Sequence, residues 1–181
     1  MTGRIEKLQQ EFDIDVHWTA FPLHPETPED GQSLEDLFAG RPINIPEMLT
    51  HLRNTAQQLG LPFGDRQMTF NSRRAQELGK WAENFGRGDA FHKAVFKAYF
   101  AHGLNIAADT VLMDLARSVD LDPQEARTVI EQGQYRDAVD RDWQRSRLMG
   151  ITAVPTFVMN RQRLVGAQTY QDLARFIGSE I

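Results

Sequence analysis

Apolar positions recur along this chain at two spacings, and the change of spacing marks where helices give way to strands. Ile5, Leu8 and Phe12 fall at helical intervals, so residues 4–12 predict an amphipathic helix. After the Asp13-Ile14-Asp15 turn, Val16-His17-Trp18-Thr19-Ala20-Phe21 alternates and is rich in strand formers. That run predicts a strand, ended at Pro22 because proline cannot donate into a ladder. Residues 23–33, with Pro25, Pro28 and Gly31 among acids, read as a loop. Helices are predicted over 33–38, 45–59, 72–85, 89–102, 109–118, 123–132 and 135–149, several stopped by the glycine that follows. A short extended run after Pro155, a turn at Asn160-Arg161-Gln162 and the run Arg163-Leu164-Val165-Gly166 predict a hairpin. Residues 169–178 predict a last helix.

The order is helix, strand, many helices, strand, strand, helix. Three strands bracketing a long helical block fit an inserted helical domain better than one layered domain. At 181 residues the chain accommodates one domain carrying such an insertion. Its formal net charge of −5 argues against nucleic acid, which selects for basic surface. No apolar run approaches the ~20 residues a membrane helix needs. With no charged-then-apolar signal pattern at the start either, the expected address is the cytoplasm. The cysteine count is zero, which excludes disulfides, thiolate metal sites and a cysteine nucleophile within these residues.

Five histidines, His17, His24, His51, His92 and His102, lack the spacing that puts two ligands on one helix face, so no metal site is expected. His24 sits in a proline-bracketed loop; exposure to solvent is the favoured reading, and acid–base work the sharper one. Phe91, Val95, Phe96, Tyr99 and Phe100 form a helical aromatic stripe, which predicts core packing. Ser72, at the start of a helix and without a nearby histidine, is expected to cap rather than to react. Pro155 restricts Val154 to extended geometry, at the kind of tight site that accommodates a cis X-Pro bond.

Several stretches together resemble the DsbA family of thiol oxidoreductases, in its FrnE-like branch, with 2-hydroxychromene-2-carboxylate isomerase and glutathione transferase kappa as relatives. The Val154-Pro155-Thr156 loop and hairpin resemble the family's cis-proline hairpin, and Gly166-Ala167-Gln168 its exit. Trp18 to Pro25 resembles the strand and loop, Asn71-Ser72-Arg73-Arg74-Ala75 a helix start, and Asp89 to Phe100 the aromatic helix.

The resemblance implies an α/β fold: a thioredoxin-like core over 1–32 and 150–181, incomplete because its first strand is missing, with a large all-helical insertion over 33–149. It implies substrate binding at Val154, Pro155 and Thr156, with His24, Asn71 and Arg74 as further substrate-binding candidates. The family opens with a strand and a Cys-x-x-Cys or equivalent nucleophile, whereas Met1 to Leu8 resembles the helix just past that motif.

Three readings stay open. The protein is a thiol–disulfide oxidoreductase whose nucleophile lies outside these residues, or is inactive; it is a glutathione-dependent isomerase or transferase with a serine in the front loop; or it is a non-catalytic peptide-binding module. The implied partner is a thiol- or disulfide-containing polypeptide or a glutathione-like small molecule, with homodimerisation as a way to cover the incomplete sheet. Glutathione is the one cofactor implied, and only under the second reading.

Overall fold

The computed structural model describes residues 2–179. The chain divides into two compact units, one of Met1–Leu23 with Asp140–Ile181, the other of His24–Val139. Both boundaries fall earlier than expected. The loop after Leu23 is tied into the helical unit, where Asn71 Nδ2 donates to the Pro25 and Thr27 carbonyls at 3.2 and 2.7 Å. Asn105 Nδ2 donates to the Glu29 carbonyl of the same loop at 2.9 Å.

The first unit contains α1 (Thr2–Glu11), the strands β3 (Thr156–Met159) and β4 (Gln162–Val165), and α9 (Tyr170–Gly178). Phe157 and Met159 of β3, with Leu164 of β4, pack against a small core of Leu8, Leu173 and Ile177. Thr169 caps α9, its hydroxyl accepting from Asp172 N at 3.1 Å. Asn160, at φ 53°, supplies the left-handed residue that a two-residue hairpin turn needs.

Val16 to Phe21 is not a strand. Its period of two survives in burial, with Val16, Trp18 and Ala20 half-buried and His17 and Thr19 exposed, but the run enters no ladder. The Ala20 N–H is satisfied by the Asp142 carboxylate at 2.8 Å instead of by a neighbouring backbone. Strand propensity shapes the chain here, while a strand as such requires a partner.

The helical unit begins with a short antiparallel pair, β1 (Gln32–Ser33) with β2 (Met68–Thr69), which periodicity did not foretell. Between them lie α2 (Leu34–Leu37), capped by Ser33, and α3 (Ile45–Gln58), capped by Asn44 with Pro46 in its first turn. Then follow α4 (Arg73–Glu83), α5 (Gly88–Phe96), a π-helical turn (Lys97–Ala101), α6 (Asp109–Ser118) and α7 (Pro123–Gln132). The long helix α8 (Arg136–Leu148) starts in this unit and continues in the other.

The main core lies among α4, α5, α6 and α7. Leu78, Phe91 and Leu112 are completely buried, and so are Ala82, Ala116 and Ala126, whose small side chains let the helices approach closely. Ser72 does not cap α4. Its hydroxyl accepts from the Gln76 side chain at 3.1 Å, and the Asn71 side-chain oxygen Oδ1 accepts the Arg73 N–H at 2.8 Å. The cap sits one residue earlier because Asn71 faces the exposed donor while Ser72 is already in helical conformation.

The π turn splits the aromatic stripe. Phe91 and Val95 enter the core as expected, but Phe96 stays 40% exposed and Tyr99 and Phe100 are only half-buried. Phe96 lies on α5 before the turn, off the face of Phe91 and Val95, while one extra residue in the turn rotates Tyr99 and Phe100 away from the α-helical face. It also frees the Phe100 carbonyl, which accepts the Gly64 N–H at 2.9 Å. A Cβ at Gly64 would lie 2.3 Å from the Ala101 oxygen, so only glycine permits this contact. Gly64→Ala is expected to cost about 1–3 kcal/mol, as other overpacking changes do, read as a lower urea midpoint with an unchanged slope.

Candidate functional site

The hairpin is built so that one edge of β3 is used and the other is not. Register pairs Phe157 with Leu164 and Met159 with Gln162, and the Gly166 N–H donates to the Pro155 carbonyl at 2.8 Å. Hydrogen-bonded and non-bonded pairs alternate in an antiparallel ladder, so the main-chain groups of Phe157 and Met159 face β4. Those of Thr156 and Val158 face the opposite edge, where no strand pairs among the described residues. Val154, 44% exposed, makes no main-chain hydrogen bond among the described residues either.

The Val154–Pro155 peptide is cis. The Thr156 hydroxyl donates back to the Ala153 carbonyl at 2.7 Å. Arg163 ties β4 to the end of α8 by donating to the Met149 and Gly150 carbonyls. The loop and edge are thus held by side chains that leave the outward backbone groups alone.

His24, Asn71 and Arg74 belong to the other unit, the helical one. Asn71 spends both amide donors on the 25–27 loop and its acceptor on α4, so it positions the loop that carries His24. Arg74 is held by Asp109 at 2.7 Å and Glu29 at 3.6 Å, and it ties the same loop to α6. These contacts give both side chains a positioning role within the helical unit.

His24 is not a solvent-exposed loop histidine. It is half-buried, and its pKa lies below the ordinary value, first because burial disfavours the imidazolium and then because Arg41 and Arg66 repel it. His92, on α5 and facing Gly79 of α4, is also lowered, by burial and then by Lys80, with Asp89 opposing. Both bind fewer protons folded than unfolded once the pH approaches the ordinary value of 6.5 from above. Stability therefore rises with pH through that window and is lost as acid enters it. The expected result is a urea midpoint that falls from about pH 7 to about pH 5, with a shallower slope in His92→Gln.

Sequence reasoning missed Arg66. Its Nε donates to the Met68 carbonyl at 3.2 Å and its Nη2 to the Tyr99 hydroxyl at 2.5 Å. Its guanidinium carbon lies 4.5 Å from the Tyr99 ring centre and 5.6 Å from that of Phe100. The Thr69 hydroxyl shares the Tyr99 oxygen at 2.9 Å, and Phe63 stacks on Phe100 at 6.3 Å. No short motif marks this arrangement, since it depends on the π turn.

Comparison with known proteins places this geometry. The DSBA-like thioredoxin domain matches residues 1–178. The protein YwbO of Bacillus subtilis (strain 168) is 26% identical over 165 residues, covering 86% of this chain and 76% of that protein. A probable DsbA oxidoreductase from Streptomyces coelicolor superposes with a TM-score of 0.88 at 26% identity, covering 98% of this chain and 81% of the other. 2-Hydroxychromene-2-carboxylate isomerase shares the fold, with a TM-score of 0.75 at 16% identity and coverage of 98% and 85%. With the hairpin, the helical insertion and nearly the full length accounted for, this cysteine-free chain belongs to the DSBA-like thioredoxin domain family.

Proposed function

We propose that these residues bind an extended thiol- or disulfide-bearing polypeptide along the outward edge at Val154, Pro155, Thr156 and Val158, and contribute no thiol to the exchange. Thiol–disulfide exchange begins with a thiolate, and none of the 181 residues can form one. What remains is the receiving half of the reaction. The observation that carries the reading is the register of β3, which turns the main-chain groups of Thr156 and Val158 away from β4. An incoming strand is recognised by such an edge, main chain to main chain, with alternate side chains read in pockets.

Asn71 and Arg74 hold the loop that carries His24 within the helical unit. A glutathione-like small molecule is itself a short peptide and would use the same edge, as would a second copy of the chain. Cytoplasmic residence belongs to the same proposal and rests on the sequence alone.

The test is titration of the isotope-labelled chain with a disulfide-bonded peptide, alongside an insulin-reduction assay. Protection of the Thr156 and Val158 amides without turnover is the expected result. Turnover of insulin, or peptide-induced changes confined to other residues, would overturn the proposal. Protection that grows with protein concentration before peptide is added would assign the edge to a second copy.

A further inference from the structure

We propose that the apolar face of α3 pairs with the same face of a second copy of this chain, the two helices antiparallel across a two-fold axis at Leu52. This surface lies in the helical unit and does not involve the β3 edge. The helix starts firmly, since Asn44 Oδ1 accepts the Glu47 N–H at 3.1 Å and Pro46 stands in the first turn. Along α3 and its last cap residue, Ile45, Met48, Leu49, Leu52, Ala56 and Leu59 fall within an arc of about 100°. Yet no residue of α3 is buried, and none joins either hydrophobic core. Leu52, at the centre of the stripe, is 38% exposed. A helix of this length is marginal in water and draws its stability from burying such a stripe.

The spacing of the stripe fits its own copy. Ile45 and Leu59 lie seven residues to either side of Leu52, and Met48 and Ala56 lie four to either side. An antiparallel pair with its axis there opposes Ile45 to Leu59, the long Met48 to the small Ala56, and Leu52 to itself, as a self-complementary interface requires. The same register opposes Arg53 to His51 and Glu47 to Gln57, so no two like charges meet at pH 7. Arg53 is in addition engaged by Asp65 at 2.6 Å.

Both ends of the stripe are extended by exposed apolar residues. Ile43 precedes the cap, the place from which an apolar side chain packs on the fourth helical residue, here Met48. The Leu61 N–H donates to the Ala56 carbonyl at 2.9 Å, which returns Leu61 to the last turn. Together these side chains leave roughly 400 Å² of apolar surface open on each copy. At the roughly two-thirds apolar share of homodimer interfaces, that corresponds to roughly 1,200 Å² buried in total, which reaches the range of specific association.

The test is sedimentation velocity of the full chain across a concentration series at about 0.15 M salt, where its net charge of −5 is screened. A concentration-dependent dimer is expected, its dissociation constant raised at least about tenfold in Leu52→Glu and unchanged in Val158→Pro. Because a failed fold would also abolish pairing, single-cysteine variants of this cysteine-free chain give a second reading. Leu52→Cys is expected to form a covalent dimer under mild oxidation, since side chains facing each other at a two-fold axis come within disulfide reach. Asn54→Cys, on the opposite face of α3, is expected to stay monomeric. A native chain that remains monomeric up to about 0.1 mM would overturn the proposal. So would a dimer that Leu52→Glu leaves intact, or cross-linking through Asn54→Cys as fast as through Leu52→Cys.

Discussion

Phe91→Ala is expected to lower the stability of the helical unit by about 3–5 kcal/mol. The ring is completely buried in the α4–α7 core beside other fully buried groups such as Leu78 and Leu112, so its loss leaves a cavity that the helices cannot close. Against a total of about 5–15 kcal/mol for a domain, that is a large share. Phe96 lies on the same helix, five residues on, and is 40% exposed. Phe96→Ala is therefore expected to cost well under half as much. Urea unfolding of both variants, followed by circular dichroism, makes the comparison. Equal losses would mean that the aromatic stripe does not divide between core and surface as described.

Val158→Pro and Phe157→Pro are expected to separate recognition from folding. The Val158 N–H points away from β4, so proline there removes a donor that only an incoming strand would use and puts a ring in that strand's path. Peptide affinity should fall by more than about tenfold while the hairpin survives. Phe157 stands one residue away with the opposite direction. Its N–H faces β4 and its ring packs on the core of Leu8, Leu173 and Ile177. Phe157→Pro should cost on the order of 2–3 kcal/mol, since a half-buried ring leaves the core and the ladder loses a donor. Peptide titration and thermal unfolding of each variant read the two effects. Unchanged peptide affinity in Val158→Pro would remove the β3 edge from the binding surface.

How much was legible beforehand depended on how local each feature is. The helices 45–59, 109–118 and 123–132 appear within a residue of their expected ends, because periodicity, Asn44, Asp122, Pro46, Pro123, Gly60 and Gly133 all act within a few residues of where they stand. The hairpin was legible for the same reason. The Val16–Phe21 strand was not, since its alternation is real but its ladder needs a distant partner, and Asp142 took up the Ala20 donor instead. What Asn71 does in the fold was not legible either: it holds the 25–27 loop across 44 residues of sequence.

By itself, then, the sequence determined the helical order, the hairpin, the kinship and the absence of a thiol, because these follow from neighbouring side chains and from composition. Only the tertiary structure decided where the aromatic stripe leaves the core and that Arg66 lies over Tyr99. Those outcomes depend on one extra residue in a helical turn and on contacts between segments far apart in the chain, which periodicity cannot encode.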